Sequence, residues 1–286
     1  MKRTTRFVSL LGAAAAVTGA ALAVGPGASA DPAAHPHPVA LASAAVSQKP
    51  TVVLVHGAWA DASGWTPVAE KLQKDGYTVK APPNPLRGLT SDAQYIAAYL
   101  KQIQGPIILV GHSYGGAVIT DAAVGNPNVK ALVYIAAFAP AEGDSLAGLN
   151  SKPVAHPIPP VPAQPSTYPK PDGGTGTELT IDPAKYGDVF LDNELPASEA
   201  QALAAEQRPL SLDSVNERSG TPAWASVPSW YMVAKQDHAI APDLERFMAA
   251  RAHAHTVEVN GPHLIMFTNP RPVTALIERT ATATAR

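Results

Sequence analysis

Short apolar, largely β-branched runs recur along this chain, separated by stretches in which apolar residues return every three or four positions. Thr51-Val52-Val53-Leu54-Val55-His56 is one such run, the pattern of a fully buried parallel strand delivering a loop, Gly57-Ala58-Trp59, to the sheet edge. Trp65 to Lys74 has helical spacing, with Val68 and Leu72 on one face and Asp75-Gly76 closing it. Tyr77 to Lys80 predicts a short strand, and the prolines at 82, 83 and 85 forbid regular structure after it. Asp92 to Gln102 resumes a helix whose Ile96, Tyr99, Leu100 and Ile103 share a side. Ile107-Ile108-Leu109-Val110 and Ala131 to Ile135 are further buried strands with an Ala-rich helix between them. Strand, helix, strand, repeated with right-handed crossovers, predicts an α/β fold built on a doubly wound, mostly parallel sheet.

That rhythm stops from Ala139 to about Ser226. Pro153 to Pro171 is crowded with proline, Asp172 to Gly176 is a glycine turn, and Ala197 to Gln207 has helical spacing. No alternation of strand and helix is expected here. An insertion of this length, at the edge where loops carry function, is a candidate lid over a substrate pocket. The rhythm returns with a strand at Ser229 to Val233, a helix at Asp243 to Ala252 behind Pro242, a strand at Thr256 to Val259 and a closing helix from Pro272 to about Arg279.

Composition adds the boundaries. Lys2, Arg3 and Arg6 precede an apolar, Ala-rich stretch from Phe7 to Val24 and an Ala28-Ser29-Ala30 site, which predicts a cleaved secretory signal peptide over 1–30 and a secreted, extracellular product. Gly12, Thr18 and Gly19 interrupt that stretch, so no stable membrane insertion is expected after cleavage. Residues 31–49 carry no periodic pattern and read as a disordered linker, leaving 50–286 for one domain with its insertion. The chain has 21 basic and 23 acidic residues; without Lys2, Arg3 and Arg6 the balance is 18 against 23, and no basic face invites nucleic acid. With no cysteine, disulfides, thiolate catalysis and zinc–thiolate sites are excluded.

Gly111-His112-Ser113-Tyr114-Gly115-Gly116, between an apolar run and an Ala-rich helix, has the form of a nucleophile elbow, in which a sharp strand-to-helix turn displays the serine hydroxyl. A serine needs a histidine to take its proton, and that histidine needs a carboxylate to hold its tautomer. Asp237 follows the Ser229–Val233 strand and His263 follows the Thr256–Val259 strand, both at the expected sheet edge and in the serine, acid, histidine order of doubly wound hydrolases. Glu142 and Asp144, after the Ala131–Ile135 strand, are rivals for the acid, and His238 is a rival for the base. His35 and His37 lie in the linker, His56 ends a strand, His112 is inside the elbow, His156 lies among prolines, and His253 and His255 sit at the other end of the sheet. The backbone N–H groups of Ala58 and Tyr114 are the candidate oxyanion donors.

Val-Leu-Val-His-Gly-Ala-Trp at 53–59, Gly-His-Ser-Tyr-Gly-Gly at 111–116, Asp237 with Phe247-Met248-Ala249, and Gly261-Pro262-His263 resemble the α/β-hydrolase superfamily. Within it they are similar to the branch of plant methyl esterases, hydroxynitrile lyases and bacterial pyrethroid-type carboxylesterases. The resemblance implies Ser113, Asp237 and His263 as a triad, with neither cofactor nor metal. The lyases of that branch carry a lysine after the catalytic histidine and a threonine near the first loop, where this chain has Leu264 and Gly57. The expectation is therefore a secreted serine carboxylesterase acting on a small-molecule ester through an acyl group on Ser113. A cyanohydrin lyase, a lipase or polyester hydrolase, and a binding protein that kept the fold stand as alternatives. The oligomeric state and the acyl preference are open.

Overall fold

The computed structural model describes residues 49–285; the predicted leader and all but the last residue of the linker lie outside it. In chain order, β1 (Thr51–Val55) leads through a 3-10 turn to α1 (Thr66–Lys74), followed by β2 (Val79–Lys80), α2 (Leu89–Leu100), β3 (Ile107–Ser113), α3 (Tyr114–Ala122) and β4 (Val129–Ala137). The insertion then contributes α4 (Leu146–Asn150), β5 (Ala163–Pro169), β6 (Thr175–Ile181), α5 (Tyr186–Phe190), α6 (Ala197–Ala205), β7 (Leu210–Ser211) and α7 (Leu212–Asn216). The chain finishes with β8 (Ser229–Ala234), α8 (Pro242–Arg251), β9 (His255–Val259), α9 (Ile265–Thr268) and α10 (Pro270–Thr284).

β2-β1-β3-β4-β8-β9 form one sheet in which every pair is parallel. Alternate residues of each strand feed opposite faces. Val53, Val55, Ile107 and Leu109 pack with Leu89, Ile96 and Leu100 of α2, Val118 of α3 and Met248 of α8, whereas Val52, Leu54, Ile108 and Val110 pack with Val68 and Leu72 of α1 and Leu276 and Ile277 of α10. Each such fully buried aliphatic side chain contributes about 1.5–3 kcal/mol, which holds the strands in register. β2 and β3 lie on either side of β1, so the chain's direction of winding reverses there. Loops leaving β1 and β3 diverge at this point and open a crevice at the carboxyl edge.

α2 begins at Leu89, three residues before the spacing of its apolar face suggests. Its first turn is capped from far away: Thr90 N–H donates to Glu217 Oε2 of the insertion at 2.8 Å. The insertion keeps out of the strand-helix alternation but carries strands that no periodicity announced. β5 and β6 form an antiparallel hairpin across the glycine turn, and β7 pairs with β6. Pro165 and Pro169 are tolerated because β5 is an edge strand with β6 as its one neighbour.

Candidate active site

β3 ends at Ser113, whose φ of 51° and ψ of −126° lie outside the ordinary regions for an L-residue. Such strain persists only where surrounding structure enforces it. Here α3 starts at the next residue, and Phe138 N–H donates to the Ser113 carbonyl at 3.1 Å, tying the elbow to the end of β4. The turn also needs Gly115: a Cβ there would stand 2.5 Å from the Val55 carbonyl oxygen and 2.8 Å from that of His56. The loop after β1 presses equally close, since a Cβ on Gly57 would lie 2.6 Å from Ser113 Cβ.

His56 pins that loop. Its Nε2 accepts from Asn84 N–H at 2.9 Å and Nδ1 lies 2.9 Å from the Gly57 carbonyl, an arrangement that requires the neutral Nδ1–H tautomer. Burial, ahead of its polar contacts, lowers the His56 pKa and keeps it neutral. Ala58 and Tyr114 come to line one cavity with Ser113. Tyr114 is the first residue of α3, where an amide has no acceptor inside its own helix.

His263 and Asp237 meet behind this cavity. His263 Nδ1 lies 2.5 Å from Asp237 Oδ2, and both side chains are buried. Asp237 Oδ1 accepts from the backbone N–H groups of Ala239 at 2.6 Å and Ile240 at 2.7 Å, so the carboxylate is fixed from two sides. The two loops that carry them are laced together, with Lys235 N–H donating to Val259 O and Gln236 N–H to Gly261 O. With Nδ1 donating to a carboxylate, Nε2 is left as the acceptor nitrogen.

No hydrogen bond joins Ser113 to His263, and the two segments are linked through the residue before the serine. His112 bridges the gap: its ring lies 4.6 Å from that of His263, its Nε2 donates to the His263 carbonyl at 3.0 Å, and its Nδ1 would touch a Cβ on Gly57 at 3.0 Å. Burial, reinforced by neighbouring His263, holds the His112 pKa well below the usual imidazole range. The rival acids are engaged elsewhere. Asp144 pairs with Arg251 at 2.7 Å, Glu142 accepts from the Thr221 hydroxyl at 3.1 Å, and His238 faces Asp188 and Asp192.

The cavity measures about 520 Å³. Its floor is Ser113 and Tyr114, and its walls include Trp59, Ile240, Leu179 of β6 and the proline-rich strand of chain around Ile158. Insertion and sheet are joined at the loop after β1, where Trp59 Nε1 donates to Leu179 O at 2.8 Å and Tyr186 OH donates to Trp59 O at 3.1 Å, and at the loop after β9, where Leu264 N–H donates to Phe190 O at 2.9 Å.

Against known proteins, a family profile described as "Alpha/beta hydrolase family" matches residues 52–276. The chain belongs to that family. This α/β hydrolase is 38% identical over 113 residues to a carbendazim hydrolyzing esterase of Nocardioides sp. (strain SG-4G), a match covering 35% of this chain and 47% of that protein, so it spans about half of the relative's length. It is 24% identical over 258 residues to an alpha/beta hydrolase of Aspergillus novofumigatus (strain IBT 16806), covering 82% of this chain and 97% of that one. Among solved structures it resembles polyneuridine aldehyde esterase (TM-score 0.68, 21% identity, 81% and 99% covered). A pyrethroid hydrolase of Sphingobium faniae JZ-2 gives a TM-score of 0.67 at 22% identity, with 82% and 98% covered.

Several residues that organise this hydrolase's site were not legible as such in its sequence. Asp92 is fully buried in α2 and accepts from Tyr114 OH at 2.7 Å, anchoring the residue that follows Ser113. Burial raises the Asp92 pKa, against the Tyr114 hydrogen bond that lowers it. Glu245 of α8 is also fully buried and meets Asp237. The available signal was a charged residue on the apolar stripe Ala241, Leu244, Met248, Ala249 of that helix.

Proposed function

We propose that this protein is an exported serine carboxylesterase. Ser113 Oγ attacks the ester carbonyl while His263 Nε2 takes its proton. The tetrahedral oxyanion sits against the Ala58 and Tyr114 amides. Collapse expels the alcohol, which takes the proton back from His263, and leaves an acyl group on Ser113. Water, deprotonated by the same imidazole, then attacks that ester and releases the acid, restoring the Ser113 hydroxyl. Asp237 holds the Nδ1–H tautomer and offsets the imidazolium charge. The observation that carries this reading is the His263–Asp237 pair, which leaves Nε2 as acceptor, with the His263 ring against the ring of His112, the residue directly before the strained Ser113. Catalytic hydrogen bonds commonly tighten only once substrate is bound, which suits the absence of a hydrogen bond between Ser113 and His263.

The cavity supports esters with a bulky apolar group. Around Ser113 its walls are hydrocarbon and aromatic, and polar side chains, Asn150 and Lys152, enter from the insertion. Leu264, buried directly after His263, puts no ammonium where a departing cyanide would need one, which favours ester hydrolysis over cyanohydrin cleavage. Labelling by a fluorophosphonate, lost in Ser113→Ala, together with hydrolysis of aryl esters of increasing acyl size tests the reading. An unlabelled serine, or full turnover by the variant, would end it. The signal-like residues 1–30 support export; a mature N-terminus near Asp31 in protein recovered from the medium is the expected result.

A further inference from the structure

Glu245 has no part in the chemistry above, yet its carboxyl is fully buried and both it and Asp237 are tied to Ala234: Glu245 Oε2 accepts from Ala234 N–H at 3.2 Å, and Asp237 N–H donates to Ala234 O at 3.3 Å. Two adjacent buried carboxyl groups cannot both ionise without a large electrostatic cost, so the pair shares one proton. The donors decide where it resides. Asp237 already collects three: the Ala239 and Ile240 amides on Oδ1 and His263 Nδ1–H on Oδ2. Glu245 collects one, Ala234 N–H, at 3.2 Å from Oε2, and its buried Oε1 meets no donor group. A carboxylate has roughly four lone-pair sites, and the fourth on Asp237 is open to a donor from Glu245. The charged and titratable neighbours of Glu245 are Asp237 and Tyr231 around β8 and Arg246 on its own helix. Arg246 does not neutralise it, because that guanidinium is committed to Glu258 at 2.8 Å and Asp243 at 2.8 Å.

We propose that Glu245 is a positioning residue for the hydrolytic reaction: a neutral carboxylic acid whose Oε1–H donates to the Asp237 carboxylate and holds it against His263. It touches no substrate and acts through Asp237. The inference rests on the assignment of Asp237 and His263 to the reaction. Burial first, then the Asp237 charge and the carboxyl contact, push the Glu245 pKa well above the usual carboxylate range, in agreement with the donor count.

Glu245→Gln and Glu245→Leu test this in the full chain. The Gln amide can donate to Asp237 and its carbonyl can accept from Ala234 N–H, as the acid does. Glu245→Gln is therefore expected to keep kcat/KM within about threefold of the parent, with the acid limb of the pH profile unmoved. Glu245→Leu removes the donor, lowers kcat by about tenfold or more at little change in KM, and moves the acid limb to higher pH because a less solvated Asp237 carboxylate holds the imidazolium more firmly. An ionised Glu245 would instead have been helping to charge His263, so Glu245→Gln would move the limb to lower pH; that shift overturns the proposal. Equal behaviour of the two variants overturns it as well.

If the Leu variant does not fold, two further readouts suffice. An infrared band of a protonated carboxyl at neutral pH, lost in Glu245→Gln, is expected, and its absence from the parent refutes the neutral acid. The folded chain also binds one more proton than the unfolded chain above the ordinary glutamate range, so the contribution of this group to stability is complete below that range and falls as pH rises through it. The Tm advantage of Glu245→Gln over the parent should therefore widen from about pH 5 to about pH 8; a constant difference counts against the proposal. Infrared and Tm readouts do not depend on ester turnover, so they separate failure here from failure of the esterase reading.

Discussion

The carboxyl edge of the parallel sheet and the insertion that roofs it are built on different physics. At the sheet edge, Ser113 ends β3 and Asp237 follows β8, both strands almost wholly buried, and His263 follows the partly exposed edge strand β9. The Asp237 side chain is held by backbone amides, and that of His263 by Asp237. The insertion has little core of its own: β5 is mostly exposed, and much of its polar contact is surface pairing such as Lys170–Asp213 and Arg87–Glu178. It is attached through Trp59, Tyr186 and Phe190, through buried Ile181, Leu191 and Leu210, and through Ser211 N–H to Leu86 O. A rigid edge suits chemistry that fails when a group moves by an ångström, and a roof with an exposed outer hairpin suits a surface that selects substrates. Substitutions at the edge should therefore act on kcat, and substitutions in the roof on KM and on the choice of ester.

The largest effect is expected from Ser113→Ala, a fall in ester kcat on the order of 10⁴-fold or more with Tm changed by no more than a few degrees; steady-state kinetics beside thermal melts would show it. Asp237→Asn should follow with about 10³- to 10⁴-fold, because an amide favours the wrong tautomer of His263. Gly57→Ala tests whether the edge tolerates any added atom. Its Cβ would collide with Ser113 Cβ, so a loss of about 1–3 kcal/mol of stability accompanied by a large fall in kcat is expected in denaturant titration and kinetics. In the roof, Ile158→Ala should raise KM for bulky apolar esters about 5- to 30-fold, from the roughly one or two kcal/mol of lost apolar contact, and leave small esters alone; an equal loss of kcat on both would erase the contrast drawn here. The smallest effect belongs to His156→Ala. His156 pairs with Asp243 at 2.9 Å but is 88% exposed, and no resolvable change in Tm or kinetics is expected.

The sheet was legible because its strands are short continuous apolar runs bounded by glycine and proline, and β1, β3, β4, β8 and β9 lie where those runs lie. β2 is shorter than expected, as its edge position demands fewer ladder bonds. The β5–β6 hairpin was not legible. Its ladder pairs Ala163 with Ile181 and Pro169 with Thr175 in a segment whose prolines argue against strand, and only its position at an edge reconciles the two. The start of α2 was hidden for a similar reason, since its cap comes from Glu217.

The sheet-edge positions of Ser113, Asp237 and His263 were readable from loop order alone. Their supporting residues were not. His112 holds the carbonyl of a residue 151 positions away, Asp92 holds Tyr114, and Glu245 meets Asp237 across the turn between β8 and α8.

By itself the sequence determined the alternation of strand and helix, the strand-to-helix turn at Ser113, and the order in which Ser113, Asp237 and His263 arrive at one edge, because each follows from local spacing and from the one-way handedness of parallel crossovers. Only the tertiary structure decided that Asp237 rather than Glu142 or Asp144 faces His263, that His263 presents Nε2, and that the cavity is walled by hydrocarbon from the insertion. Those outcomes depend on which burial sites and hydrogen-bond partners lie within reach after packing, and residues far apart in the chain supply them.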